Sequence, residues 1–488
     1  MLVYLKEHIW QVLLGVNYLL AIVMCFFVVL KNSNPVRTLS YIFALIALPF
    51  IGLLAYYFIG QDYRKVKIFE KKHVTDSSKI KKWRENFRLT KDEEATFEER
   101  YGELAYKMFN LLRNNEKAIV SFNNTCEVLL NGENKFNRLK EDLKNAKHHI
   151  HLEYFVLMDD EVGGQLIDIL CDKAQSGVVV RLIYDDVGSS ISSKNKKRLT
   201  NSGVKHFPFM PVLFSGLTSK LNYRDHRKIV VIDGAIGYVG GINLRRKYDN
   251  SFEKNERYWR DTHLRVEGEV VGSLQTCFLL NWDFASKGDL EIASEFFPQV
   301  NTENNDPVAM QIAASGPDSD WANIMEAVFS AITMAKEYVY ISTPYLVPNA
   351  PILTALTTAA RSGIDVRIII PWESDSLAAQ YASDSYVEQL LQSNVKVYRY
   401  TKGFIHAKTF VVDNCVSSIG TANLDYRSFA INFEVNALIY GKSIATRMHN
   451  TFIEDLKDCD IVELERWQNR SLGRKLKESF SRLWAPLL

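Results

Sequence analysis

No Cys-x-x-Cys pair, no glycine-rich phosphate loop and no dinucleotide-binding pattern occurs in the 488 residues. The six cysteines, among them Cys25, Cys126, Cys171 and Cys277, are scattered through apolar contexts, which argues against a zinc site or a disulfide framework and reads as buried reduced thiols. The Gly240-Gly241 pair leads into neither nucleotide-binding motif. Charge of one sign is also lacking: 59 Lys and Arg against 57 Asp and Glu leave a net +2, so overall charge names no partner. A long basic and aromatic surface of the kind that tracks a nucleic-acid strand is missing as well. Finally, two stretches have no charge at all, Ile9 to Leu30 and Thr38 to Gly60.

What is present is a doubled motif. His226-Arg227-Lys228 runs to Asp233, and His406-Ala407-Lys408 runs to Asp413, both reading His-x-Lys-x-x-x-x-Asp. The residues between, Ile229-Val230-Val231-Ile232 and Thr409-Phe410-Val411-Val412, are β-branched or aromatic and predict strands. Residues two apart on a strand share a face, so each imidazole has an ammonium beside it. A nucleophile or proton carrier next to a fixed cation suits attack on a phosphate ester. The Asp has the wrong parity for that face. Asp233 and Asp413 are therefore expected in the turn that ends each strand, with a structural rather than a directly catalytic role.

The two copies match well beyond the motif. Asp233-Gly234 and Asp413-Asn414 are hairpin-turn residues, and Asn243 and Asn423 follow their histidines at the same interval. Those amides are candidate donors to a ligand that glycine lets close to the backbone. Asp261 and Glu434 each precede a further apolar strand and are candidates to orient the imidazole of their own half. Upstream, Ala146 to Leu152 resembles Ala335 to Ile341, and Ser176 to Arg181 resembles Ser362 to Arg367, with a helix-like segment between in each half. Each half thus reads as strand, helix, strand and a His-Lys hairpin, an α/β plan with a largely covered sheet. Two such lobes about a pseudo-twofold axis would bring both His-Lys pairs to one cleft. His148, His149 and His151 correspond to Glu337, Tyr338 and Tyr340, so no metal is expected there.

On these residues, the chain from about Glu116 to Arg466 resembles the phospholipase D superfamily, whose signature is the paired His-x-Lys motif. Within it, the likeness is to bacterial cardiolipin synthases. It is carried by Asn222 to Gly234, Tyr258-Trp259-Arg260-Asp261-Thr262-His263, Ser315-Gly316-Pro317-Asp318 and the ending Pro486-Leu487-Leu488. The resemblance implies transfer of a phosphatidyl group from one phosphatidylglycerol to another, with release of glycerol and no metal or other cofactor. It also implies a phosphohistidine intermediate, with His226 as the favoured nucleophile and His406 as acid and base. Lys228, Lys408, Asn243 and Asn423 would hold phosphate oxygens. A hydrolytic phospholipase D, a phosphatidylserine synthase and a membrane-tethered nuclease would use the same residues, and a scaffold with vestigial motifs is disfavoured because both His-Lys pairs are intact.

The domain plan expected is two transmembrane helices (1–60), a basic juxtamembrane linker (61–115), two phospholipase D-like lobes (116–300 and 301–465) and a basic amphipathic tail (466–488). Each charge-free stretch is long enough to cross about 30 Å of hydrocarbon. Arg64, Lys65, Lys67, Lys71 and Lys72 against Lys31 and Arg37 place the body on the cytoplasmic side of a cell membrane, beside anionic lipid. Leu472, Leu476, Phe480 and Leu483 with Trp484 share a helix face among Arg470, Arg474, Lys475 and Arg482. That face either lies on the bilayer or packs on the body.

Overall fold

The computed structural model describes residues 8–30, 35–59, 78–85, 87, 89–116, 118–211, 223–299 and 307–484, in two compact units. The basic run Arg64 to Lys72, Asn222 and the ending Pro486-Leu487-Leu488 lie outside the described residues.

In the first unit, the helix Ile9–Leu30 is 22 residues long, about 33 Å at 1.5 Å per residue, enough to cross a bilayer. The second apolar stretch, expected as a span kinked at Pro49 and Gly52, is divided there. It forms two helices, Pro35–Ala47 and Ile51–Ile59, joined through Pro49 and a left-handed Phe50. Tyr41 and Tyr56 bring their rings within 5.3 Å, whereas fifteen residues of continuous helix would separate them by about 22 Å. The chain has folded back on itself. Proline withholds one N–H and the positive φ reverses the direction, while the buried Asn17 of the first helix accepts the Phe50 N–H at 2.9 Å. Gly52 is required at the reversal, because a Cβ there would meet the Ala44 carbonyl oxygen at 2.1 Å.

Among the described residues the second unit carries twenty strands. In the first half run β1 (Val120–Ser121), β2 (Asn124–Leu130), β3 (His149–Tyr154), β4 (Val179–Asp185), β5 (Lys205–Phe209), β6 (Lys228–Ile232), β7 (Ile236–Gly240), β8 (Tyr258–Arg260) and β9 (Thr262–Gly268). The second half has β10 (Ala309–Ser315), β11 (Tyr338–Ser342), β12 (Leu346–Val347), β13 (Asp365–Pro371), β14 (Lys396–Tyr400) and β15 (Gly403–Ile405). It continues with β16 (Thr409–Val412), β17 (Val416–Gly420), β18 (Leu424–Asp425), β19 (Glu434–Tyr440) and β20 (Cys459–Ile461). The first sheet has the order β2-β9-β7-β6-β3-β4-β5, and the second contains β10-β19-β17-β16-β11-β13-β14 between edge strands β1 and β20. The seven-strand plan is thus the same in both, with the His-Lys strands β6 and β16 in equivalent central places.

Alternation along these strands divides the core. Val230 and Ile232 pack beneath the helices Asn131–Asn145 and Glu161–Gln175 on one side, while Ile229 and Val231 enter a core shared with Val411, Ile419 and Ile439 of the other sheet. The helices Val271–Ser286 and Lys442–Leu456 close that shared core. Two expected boundaries shift. The segment expected as a linker with helical parts holds the helix Lys91–Glu116, broken at Gly102, whose Phe97, Ala105, Met108, Phe109 and Leu112 are buried in the second lobe's core, and β1 pairs with β10 rather than with the first sheet. Charged residues on the helix's exposed side masked that apolar stripe.

Candidate active site

Both His-x-Lys pairs stand just before or at the start of their central strands. The turn that follows explains the aspartates. Asp233 and Gly234, and likewise Asp413 and Asn414, all have positive φ, the conformation of a type I′ hairpin. The Asp233 carboxylate accepts the backbone N–H groups of Lys147, His148 and His149 at 2.7–2.9 Å, and Asp413 does the same for Lys336, Glu337 and Tyr338. Each aspartate ties its hairpin to the neighbouring strand, at the end away from the histidine.

Across the lobe boundary the backbones interlock. β15 runs parallel to β8, and the His406 N–H donates to the Arg260 carbonyl at 2.7 Å. On the pseudo-equivalent side Asp225 bridges Phe433, and the His226 N–H donates to the Phe433 carbonyl at 2.9 Å. Residues 261 and 434 follow those carbonyls directly. His226 Nδ1 therefore lies 2.9 Å from Glu434 Oε2, and His406 Nδ1 lies 2.7 Å from Asp261 Oδ2. This corrects the pairing read from sequence order, in which each acid served the histidine of its own half. Proximity along the chain misleads here because the strand interlock exchanges the partners.

The four groups and both lysines are buried. Lys228 Nζ donates to the His226 carbonyl at 2.7 Å and Lys408 Nζ to that of His406 at 2.6 Å. Burial, together with repulsion from Lys408, pulls the Lys228 ammonium down to about 7, and burial pulls Lys408 down to about 8. Burial and the neighbouring Lys228 take His226 down to about 4, against the pull of Glu434. His406 is likewise held well below its ordinary value by burial and by both lysines. Glu434 stays below the usual carboxylate value because His226 and Lys228 outweigh its burial, whereas burial lifts Asp261 to about 6. Each lysine thus acts on the imidazole of the opposite lobe, as members of one site.

At neutral pH both imidazoles are therefore uncharged. A carboxylate can only accept, so the single ring proton sits on Nδ1 and Nε2 keeps its lone pair. Among the described residues neither Nε2 has a hydrogen-bond partner.

The two halves differ in how the acids are held. Glu434 accepts from the Thr421 hydroxyl at 2.6 Å and from Asn432 at 3.2 Å. At the place equivalent to Thr421 stands Gly241, where a Cβ would lie 2.2 Å from Asp261 Oδ1. The glycine makes room for the carboxylate. Asn243 accepts from the Val156 N–H at 3.2 Å and donates to Tyr248 Oη at 2.8 Å, and the Tyr248 ring contacts His406 edge-on at 5.4 Å. Asn423 donates to Asp425 at 2.9 Å, and its buried Oδ1 has no partner among the described residues.

Several neighbours carry no motif. Trp259, Phe404 and Tyr248 wall His406, and Phe155 packs against His226 at 5.0 Å. Lys135 is fully buried above the Tyr154 ring, close enough to Asp261 and Lys228 to feel both charges. Trp259 was signalled by its place beside Asp261; Lys135 and Phe155 had no such flag. His149 and His151 are buried among Phe278, Phe296 and Gln275, and no group of metal-ligating side chains occurs among the described residues.

Known proteins resemble this chain over nearly its whole length. A family model described as "Cardiolipin synthase, PLD-like domain" matches residues 139–258 and 328–456, and a phospholipase D-nuclease N-terminal model matches residues 19–61. A cardiolipin synthase of Halalkalibacterium halodurans is 38% identical, covering 99% of this chain and 96% of its own. Cardiolipin synthase 2 of Bacillus anthracis is 39% identical over 94% of this chain and 88% of its own. Among solved structures, a phosphatidylserine synthase of Haemophilus influenzae shares the fold, with a TM-score of 0.58 and 15% identity over 78% of this chain and all of that one. With two equivalent sheets, two His-Lys strands and whole-length relatives, the chain belongs to the phospholipase D-like cardiolipin synthase family.

Proposed function

We propose that the protein joins two phosphatidylglycerol molecules into cardiolipin and releases glycerol, by two displacements at phosphorus through a phosphohistidine. The observation that carries this reading is the crossed pair of His-carboxylate contacts at 2.9 and 2.7 Å, which holds two imidazoles in one buried site with two lysines.

His226 Nε2 attacks the lipid phosphorus, forming a P–N bond as the P–O bond to glycerol breaks. A phosphodiester anion between Lys228 and Lys408 offsets their charge, so an imidazole there gains a proton more readily than in the empty site. His406, which takes up a proton from solvent at Nε2 when the anion binds, gives that proton to the departing glycerol oxygen. Glycerol leaves, and the same Nε2 takes the hydroxyl proton of a second phosphatidylglycerol, whose oxygen attacks phosphorus and breaks the P–N bond. Lys228 and Lys408 stabilise the charge on the non-bridging oxygens, with the Asn243 and Asn423 amides in support. Glu434 and Asp261 orient the two rings and stabilise their charged forms. Asp233 and Asp413 belong to the motif but act on the scaffold.

Membrane association follows from the family and the long apolar helix Ile9–Leu30. The positive run from Arg64 to Lys72 supports a body on the cytoplasmic side. Purified protein given labelled phosphatidylglycerol is expected to yield cardiolipin and glycerol. Phosphatidic acid as the main product would indicate hydrolysis instead, and full turnover by His226→Ala or His406→Ala would overturn the mechanism.

A further inference from the structure

The helix Leu472–Trp484 is amphipathic, yet it docks on the body by its charged side. Arg470, just before it, pairs with Glu388 at 2.7 Å and with Glu478 at 2.8 Å. Arg474 pairs with Asp384 at 2.9 Å and Glu478 at 3.3 Å. Arg482 donates to the Ser385 carbonyl at 3.3 Å and lies 4.3 Å over the Tyr386 ring. All these body partners stand on the helix Leu377–Gln392. Glu478 and Asp384, at 1% and 0% exposed, are buried by the contact.

The opposite side is left bare. Leu472, Leu476, Phe480, Leu483 and Trp484 are 50–75% exposed. Their spacing of four, four and three residues, then one, puts them on one stripe. Of the two readings open from sequence, packing of this stripe on the body is thereby removed. Helical geometry sets Lys475 along one margin of the stripe and Lys477 along the other. Trp372 and Leu377, both more than half exposed, border a cavity of about 1110 Å³ together with Gly473, Arg474 and Lys477.

We propose that this helix is an interfacial membrane-docking element. Its apolar stripe lies in the boundary between headgroups and acyl chains of an anionic bilayer, and its ion pairs hold the catalytic body to that surface. Lysines on both margins suit a plane of anionic headgroups, towards which their stems reach. They disfavour a second copy of the same helix, because a twofold arrangement would set ammonium against ammonium along the seam. The chain also carries a helix long enough to span a bilayer, so a lipid surface is available to every molecule.

Full-length protein with p-benzoylphenylalanine in place of Phe480 is reconstituted into phosphatidylglycerol vesicles and irradiated. Adducts to lipid are expected, at several times the yield obtained with the same photoprobe at the half-buried Ser481 on the other side of the helix. Crosslinking to a second copy, crosslinking to the body, or no adduct would each overturn the proposal. A second arm rests on the cardiolipin synthase reading. The pair Leu476→Glu with Phe480→Glu should keep its turnover in detergent micelles and lose at least fivefold in vesicles, whereas an undiminished vesicle rate would overturn the proposal. The crosslink reads the surface whether or not phosphatidylglycerol is turned over, so failure of the lipid reaction and failure of the docking element are told apart.

Discussion

Replacing Lys228 by Met should make the protein more stable while abolishing turnover, and the gain should depend on pH in a defined direction. The ammonium sits at about 7 in the folded chain against an ordinary 10.5, a cost on the order of 5 kcal/mol for keeping it charged at lower pH. Methionine fills a similar volume without charge. The substitution also removes the 2.7 Å hydrogen bond to the His226 carbonyl, a loss of about 1–3 kcal/mol if that oxygen is left without a partner. The net gain at pH 6 to 7 is then about 2 kcal/mol or more. For a base whose folded value lies below its unfolded one, the destabilisation is complete below the folded value. It fades as pH rises from about 7 and is gone above the unfolded value of 10.5. Thermal midpoints of wild type and Lys228→Met in detergent, taken from pH 6 to pH 10, should converge as pH rises. A variant no more stable than wild type at pH 6, or a gap that does not shrink towards pH 10, would refute the reasoning.

The same lysines predict that kcat/KM falls as pH rises through about 7 to 8, since their charged forms are needed and are lost there; a pH profile rising across that range would contradict the assigned role. Thermal double-mutant cycles should find coupling of about 1 kcal/mol or more between His226 and Glu434, and a far smaller value between His406 and Glu434; equal couplings would remove the crossed pairing. Gly241→Ala should cost both stability and turnover, because its methyl group would meet Asp261 Oδ1 at 2.2 Å, and a fully active variant would show that Asp261 has room to move. Asp233→Ala removes an acceptor shared by three backbone N–H groups, at a cost of about 1–3 kcal/mol or more. The activity of whatever fraction stays folded should persist, and loss of turnover from a fully folded sample would argue for a direct catalytic part.

The duplicated plan was legible in the sequence because it rests on local pattern. Ile229 to Ile232 and Thr409 to Val412 are apolar and β-branched or aromatic, and Asp233-Gly234 and Asp413-Asn414 state their turns plainly. Partnership across the lobes was not legible, since nothing near Glu434 says that its imidazole is 208 residues away rather than 28. Pro49 and Gly52 mark a break in the second apolar stretch, but hydropathy does not report direction, and the left-handed Phe50 reverses the chain inside an unbroken apolar run. Helical parts are legible ahead of Glu116, but the acidic first turn of Lys91–Glu116 hides the burial of Met108, Phe109 and Leu112. The neutral state of both histidines also lay beyond sequence, for it follows from burial beside two lysines that only the fold assembles.

The exchange of acids between lobes has a consequence for ancestry and for engineering. A lone copy of this fold would present an imidazole whose acid is missing and an acid whose imidazole is missing, so it could work only by pairing with its twin. Joining two copies in one polypeptide removes the dilution penalty of that encounter and frees the two relays to diverge, as Gly241 beside an aspartate and Thr421 beside a glutamate already have. Any attempt to split the chain between its halves must therefore restore both relays at once, because no half-active fragment is available on the way.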